Sequence, residues 1–236
     1  MTVVTISGQA GSPAREVGRL TAARLNIDYV DQEILVEAAR ALGVPMESVV
    51  PHDERTASLG ERLANLLRRF LESSAAAGAA DPVLGGGGLD IVLARTYGEA
   101  ASSESTREVS DGQYISTLSG IIRDLAAHDD VLIIGRGSQV ILKDWPGALH
   151  VLLVGPLDGR IEYIARRDGL SREDAAKRVH EGDRGRSDFH HKFFKIHVDD
   201  PSLYHLTVNT SLVPAEEAAQ LITDAAQRVA TKVKPA

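Results

Sequence analysis

The chain has 236 residues, 43% of them hydrophobic, with 26 Lys/Arg, 33 Asp/Glu and no cysteine, enough apolar material for one sizeable core with an inserted subdomain. Without cysteine there are no disulfides, thiolate nucleophiles or Cys-ligated zinc sites, and a formal net charge of −7 argues against binding nucleic acid or an acidic membrane across the whole surface. No apolar run approaches the roughly 18 residues of a membrane helix, and the N-terminus shows no basic-then-apolar signal pattern, so a soluble cytoplasmic protein is expected.

Val3-Val4-Thr5-Ile6-Ser7 is a β-type apolar run that enters Gly8-Gln9-Ala10-Gly11. Ser12 then predicts a helix N-cap with Pro13 at the first helical position, and the helix continues through Leu20 and Leu25. A buried strand, closely spaced small residues and a helix N-terminus offer backbone N–H groups and a positive dipole end to an anion, so this loop is a predicted phosphate site. Against the phosphate-loop pattern G-x-x-x-x-G-K-[ST], Gly8 fits, while Pro13 replaces the second glycine, Ala14 the lysine and Arg15 the hydroxyl residue. An ordinary strand-to-helix turn is the competing reading of the same residues.

Ile27 to Asp31 reads as a short second strand ending on a carboxylate, followed by a helical pattern from Ile34 to Leu42. Residues 45–58 have no clear period. Leu59, Leu63, Leu66, Leu67, Phe70 and Leu71 recur at helix spacing and predict an amphipathic helix of about 18 residues. Ala75 to Ala80 and Gly85 to Gly88 predict a mobile loop. Ile115, Leu118, Ile121, Ile122 and Leu125 then make one helix face, and Val131 to Gly135 and His150 to Gly155 are continuous apolar strands of the kind buried in parallel sheets. A capping box is predicted at Ser171 and Asp174, a last strand at Leu206 to Asn209, and a final helix from Pro214 with Ala218, Leu221, Ile222, Ala225 and Val229 on one face. Strand and helix alternate, which predicts an α/β fold with a parallel sheet covered on both faces and ligands at the carboxyl ends of the strands.

Those ends collect polar residues: the glycine loop after the first strand, Asp31 after the second, and Gly135-Arg136-Gly137 after the third. Taken alone, Asp31 reads equally as a helix N-cap and Arg136 as a surface ion-pair partner; their shared topological position favours one crevice holding an anion. From Arg160 to Lys195 there are ten Lys/Arg and seven Asp/Glu, a local basic segment suited to an anion site. Its histidines, His190, His191 and His197, with Asp183 and Asp188, match no zinc spacing, and Phe189, Phe193 and Phe194 suggest a helix packing aromatics. Interleaved acids argue against nucleic-acid binding there. Lys232 and Lys234 read as solvated charges.

In order and spacing, Val4-Thr5-Ile6-Ser7, Gly11-Ser12-x-x-Arg15-Glu16-x-Gly18, Tyr29-x-Asp31-x-Glu33-Ile34, Ile134-Gly135-Arg136-Gly137, Asp183-Arg184-x-Arg186 and Tyr204-x-Leu206-x-Val208-Asn209-Thr210 resemble the cytidylate kinase-like family, a branch of the P-loop nucleoside monophosphate kinases. The resemblance implies a P-loop kinase-type sheet with a core of about residues 1–44 and 111–236, a helical and loop insertion at about 45–110, and a lid at about 158–200. It implies transfer of the γ-phosphoryl group of ATP to a nucleoside monophosphate, typically CMP or dCMP, with Mg²⁺. Gly8, Gln9, Ala10, Gly11, Ser12, Pro13, Ala14, Arg15 and Glu16 would cradle the donor phosphates. Arg136 would hold the acceptor phosphate with Asp31 and Asp183 beside the substrate, and Arg184 and Arg186 would close over the transferring group with Arg15 as the loop cation.

The family's members differ from this chain at several places. Gln32-Glu33 follow Asp31 where a Ser-Gly pair is usual, Glu37 stands in an arginine's place, and Gly137 replaces an aspartate that contacts the base. Two other readings therefore stand beside the first: a noncatalytic nucleotide- or phosphate-binding module, and a kinase for another small-molecule acceptor. Homo-oligomer formation stays open.

Overall fold

In the computed structural model the described residues are 1–41, 60, 62–69, 72, 89–102, 110–128 and 130–232. Val3–Gly8 (β1) is buried on both faces, with Val3, Val4, Thr5, Ile6 and Ser7 almost wholly covered, and only a central strand with cover on both sides accommodates such a run. The sheet follows from it. Asp28–Val30 (β2), Val131–Ile134 (β3), Ala148–Val154 (β4) and Leu206–Asn209 (β5) join β1 in the order β2-β3-β1-β4-β5, every pair parallel. Register places Val3 between Val131 and Ala148, and Ile6 between Ile134 and Val151.

The helices are Ala14–Leu25 (α1), Gln32–Ala41 (α2), the helical segment 62–69 (α3), Leu89–Ala94 (α4), Tyr97–Ala101 (α5), Asp111–His128 (α6), Ser138–Ile141 (α7), Leu157–Asp168 (α8), Arg172–Phe194 (α9) and Ala215–Lys232 (α10). One sheet face, carrying Val4, Ile6, Leu132, Leu149, Val151 and Leu153, packs on α1 and α10. The other, carrying Val3, Val131, Ile133 and Ala148, is covered by α2, α3, α4, α6 and Phe189 of α9. A smaller cluster of Ile161, Ile164, Ala175 and Val179 closes α8 on α9 and takes in Ala10 of the first loop.

The predicted α/β fold with a doubly covered parallel sheet is the one observed, and every predicted strand is present. Of the predicted helix at 59–71, residues 62–69 are helical, with Leu63, Leu66 and Leu67 in the core, whereas Leu59, Phe70 and Leu71 lie outside the described residues. Residues 45–58, the small-residue stretches 75–80 and 85–88, and Lys234 also lie outside them. No helix among the described residues is long and apolar enough to cross a membrane.

Two local expectations are corrected. Pro13, not Ser12, is the N-cap of α1, with φ −77° and ψ 42°, and the Val17 N–H donates to its carbonyl at 2.9 Å. Ser12 is drawn back into the preceding turn because its N–H donates to the Gln9 carbonyl at 2.9 Å, and its side chain caps nothing. At α9 the capping box forms only by half: Asp174 N–H donates to Ser171 Oγ, but the Asp174 carboxylate takes the Ser171 hydroxyl at 2.6 Å rather than a backbone N–H. A complete reciprocal box forms instead at Thr96 and Glu99, opening α5.

Gly18 sets the distance between α1 and the sheet. An added Cβ there would lie 2.7 Å from Ile134 Cδ1 and 3.0 Å from Tyr29 Cε2. The Gly18→Ala variant is expected to unfold with about 1–2 kcal/mol less stability in urea titration, because overpacking outweighs the roughly 1 kcal/mol gain in helix propensity.

Candidate active site

The loop from Gly8 to Glu16 connects β1 to α1 and is built too tightly for side chains at its glycines. Gly11 has φ +83°, and an added Cβ would meet the Arg160 carbonyl oxygen at 2.6 Å. One on Gly8 would meet Ser12 Oγ at 2.5 Å. That hydroxyl is buried and has no hydrogen-bond partner, an orphan that an incoming polar ligand would satisfy. Ala14 turns to the core face shared with Val17, and Glu16 sits by Tyr163, whose phenol is pushed up by burial and then by Glu16.

Helices α8 and α9 grip this loop through Ala10. Its N–H donates to Asp183 Oδ1 at 2.9 Å, and its carbonyl accepts Arg160 Nη1 at 2.7 Å. The same Arg160 nitrogen reaches Asp183 Oδ2 at 2.7 Å, while Nε donates to the Gly155 carbonyl at 2.9 Å. Gln9 Oε1 accepts the Gly155 N–H at 3.2 Å. A cleft of about 310 Å³ opens beside the grip, lined by Gly11, Pro13, Gly155, Arg160, Tyr163 and Thr210 among others. Arg160 was not distinguishable in sequence from the other basic residues of its segment; only the fold brings it back to the loop.

At the end of β2, Asp31 caps α2 by accepting the Ile34 N–H at 3.1 Å, and it also accepts the Tyr29 hydroxyl at 3.0 Å. Burial and the Asp31 charge both push the Tyr29 phenol up. Arg15 projects here rather than over the loop: Nη1 lies 2.7 Å from Glu33 Oε1, and Nε 3.6 Å from Asp31 Oδ2. With side-chain exposures of 47% for Arg15 and 61% for Glu33, this is a surface pair of roughly 0.2–1 kcal/mol, weak enough to exchange for a phosphate.

The turn after β3 is unusual in its backbone. Gly135, Arg136 and Gly137 have φ of +70°, +60° and +70°, and the left-handed arginine alone stores of the order of 1–3 kcal/mol. Arg136 is 4% exposed. Its Nη1 donates to the Arg95 carbonyl at 2.6 Å and lies 3.5 Å from the Tyr114 hydroxyl, and Nη2 donates to the Leu93 carbonyl at 3.2 Å. All of these acceptors are neutral; among the described residues no carboxylate pairs with this buried cation. An added Cβ on Gly137 would strike the Phe194 ring at 2.6 Å, so no base-reading side chain fits at that position.

On α9 the two remaining predicted arginines part company. Arg184 is exposed and makes no hydrogen bond or ion pair among the described residues. Arg186 is 4% exposed and reaches the end of β1, where Nη2 donates to Ser7 Oγ at 2.9 Å and Nη1 to Asp199 at 2.6 Å. Its Nε is a buried donor without a partner. One turn on, His190 Nδ1 lies 2.7 Å from the Arg186 carbonyl and its Nε2 3.1 Å from Gln139 Nε2. Phe189 is fully buried in the core, so the aromatic segment packs as a helix, as its sequence suggested. Arg15, Arg136 and Arg186 therefore stand at the carboxyl ends of β2, β3 and β1, with Asp183 on the loop and Arg184 in solvent.

A profile of the cytidylate kinase-like family matches residues 3–212, and the chain belongs to that family. Among curated relatives, the cytidylate kinase of Aeropyrum pernix is 31% identical over 105 residues, 44% of this chain and 60% of that one. A 99-residue stretch of the uronate isomerase of Corynebacterium glutamicum is 27% identical, covering 42% of this chain and 19% of that protein. The matches thus span less than two thirds of either relative. The crystal structure of an uncharacterized protein from Eubacterium ventriosum shares the fold, with a TM-score of 0.62 at 15% identity over 96% of this chain and 99% of that one.

Two buried imidazoles make stability sensitive to acid. Burial pushes both His150 and His190 down to about 4, His150 further through its neighbour His205. The unfolded chain takes up these protons near pH 6.5, so stability is full above that value and falls as pH drops from about 6.5 towards 4. The expected steepest loss is about 1.4 kcal/mol per pH unit for each histidine. Urea unfolding at pH 7, 6 and 5 checks it, and His150→Gln and His190→Gln should each flatten the dependence.

Proposed function

We propose, from this family membership and from the groups gathered at the strand ends, that the chain transfers the γ-phosphoryl group of ATP to a nucleoside monophosphate, CMP or dCMP first among them. The observation that carries the reading is Arg136: a buried guanidinium whose hydrogen bonds are met by neutral oxygens, with no carboxylate in ion-pair contact among the described residues and the exposed Glu99 acting on its charge only from beyond that distance. A phosphate completes such a site. The bonds to the Leu93 and Arg95 carbonyls are already charge-assisted, about 1.5–3 kcal/mol each; a phosphate would add a full opposite charge and bidentate geometry to them.

The donor phosphates would lie on the loop from Gly8 to Glu16, where the tight glycines and the orphan Ser12 hydroxyl suit them. The cleft beside Tyr163 and Thr210 would take the donor nucleoside. Mg²⁺, which neutralises charge on the phosphates and usually keeps several waters, would be held largely through the nucleotide phosphates. An acceptor phosphate oxygen then attacks the γ-phosphorus, a new P–O bond forms, the bridging bond to the β-phosphate breaks and ADP leaves. Little covalent chemistry falls to the protein, so the rate comes from positioning and from cations aimed at the transferring group.

In this scheme Arg136 holds the acceptor phosphate, with Asp31 orienting Arg15 beside it. Arg186 lies at the end of β1 between the two substrates. The α8–α9 segment acts as the lid over residues 158–200, excluding water and bringing in the free guanidinium of Arg184, with Asp183 and Arg160 fastening it to the loop. Pro13 is tolerable because it occupies the N-cap, where φ −77° suits the ring.

A second reading, a noncatalytic nucleotide-binding module, is favoured by one feature: no lysine lies over the loop, and Arg15 is turned to Glu33. The isomerase match covers a fifth of that protein. Incubation with ATP and Mg²⁺ and each of CMP, dCMP, UMP, AMP and GMP, with direct detection of the nucleoside diphosphate, separates the two. Product from CMP or dCMP is expected, with kcat/KM lowered about 100-fold or more in Arg136→Ala and Arg186→Ala. ATP binding without product from any of the five would overturn the nucleoside monophosphate reading and leave the module or a kinase for another small-molecule acceptor.

A further inference from the structure

We infer that Tyr97, at the start of α5, is a positioning residue for Arg136 and links the turn after β3 to α9. This rests on the reading of Arg136 as the acceptor-phosphate ligand. One side chain holds Arg136 at two points: the Arg136 backbone N–H donates to the Tyr97 hydroxyl at 2.6 Å, and the guanidinium carbon lies 5.7 Å from the centre of the Tyr97 ring. The hydroxyl also explains the residue before it, since an added Cβ on Gly135 would come within 2.5 Å of that oxygen.

Three successive left-handed residues form an irregular turn that needs outside support, because L-amino acids do not favour that region. The hydroxyl of Tyr97 supplies it at the middle residue. A freely rotating arginine would lose its aim as soon as the Leu93 and Arg95 carbonyls were exchanged for a ligand; Tyr97 fixes its backbone and lies under its guanidinium throughout that exchange.

Tyr97 is itself placed by α9. Its ring meets Phe189 edge-on at 5.0 Å and lies 5.8 Å from His190. Backbone contact is equally close: an added Cβ on Gly185 would stand 2.9 Å from the Gly98 nitrogen. Gly185 lies between Arg184 and Arg186, so the helix that carries the candidate lid cations also seats the tyrosine that seats Arg136. A shift of α9 is thereby felt at the acceptor site.

The test is Tyr97→Phe, which removes the hydroxyl and keeps the ring, with the thermal unfolding temperature confirming the fold. Two readouts are taken. In the steady state the acceptor KM is expected to rise about tenfold, the value of one well-made hydrogen bond, with the KM for ATP within twofold of the parent. By NMR, hydrogen exchange of the Arg136 amide is expected to quicken at least tenfold in the variant. An unchanged acceptor KM, a rise shared equally by ATP, or unchanged amide exchange overturns the inference while leaving the kinase reading in place. If the parent itself forms no diphosphate, the kinase reading falls, and the amide exchange alone decides whether Tyr97 positions Arg136.

Discussion

Burying a guanidinium with no carboxylate in ion-pair contact is the constraint on which the organisation of the strand ends depends. A desolvated charge is costly unless it is paired, and among the described residues the Arg136 guanidinium hydrogen-bonds to the Tyr114 hydroxyl and to carbonyls at and just beyond the end of α4, lies over the Tyr97 ring, and feels the Glu99 carboxylate only from beyond ion-pair distance. Those carbonyls carry the negative end of the helix dipole, enough to satisfy geometry but less than a full counter-charge. Gln32 reaches the same two carbonyls from α2 at 3.3 Å each and donates to the Ala94 carbonyl between them at 2.8 Å. The end of α4, α2, α5 and the turn after β3 are thus arranged around one cation. Arg186 shows the alternative solution at the neighbouring strand, where Asp199 supplies the opposite charge.

The second organising element is α9. Its first half grips the glycine loop through Asp183 and, from α8, Arg160; its middle inserts Arg186 at the end of β1; its last turns carry Phe189 and His190 into contact with Tyr97. A single helix therefore touches both halves of the crevice. Phosphoryl transfer asks for that kind of connection, since two anions must be brought into line and shielded from water together.

Much of this was legible in the sequence because the informative residues sit on continuous apolar strands. Val131 to Ile134 and His150 to Val154 are continuous apolar runs, and Val3 to Ser7 is β-type with only small hydroxyl residues among its apolar ones, which identifies a parallel sheet and so places Gly8, Asp31 and Arg136 at one edge. Asp31 is the N-cap of α2 that one of its two readings expected, and it also faces Arg15. What sequence could not show depends on contacts between distant segments. Arg160 lies 150 positions from its partner at Ala10, and Tyr97 lies 39 from Arg136; neither carries a local pattern. The direction of Arg15 was equally hidden, because a helix places it by rotation and Glu33 decides which way the side chain turns. At the start of α1, a turn hydrogen bond from Ser12 to Gln9 overrode the N-cap preference of serine.

The account stands or falls on what completes the incompletely countered charge of Arg136. Calorimetric titration of CMP into the parent protein and into Arg136→Leu, with ATP titrated into both as a control, tests it most directly. Saturable CMP binding to the parent that is lost in the variant, with ATP binding retained in both, is the predicted result. Equal binding of CMP to the two proteins would show that Arg136 only caps α4 and that the acceptor phosphate, if there is one, lies elsewhere.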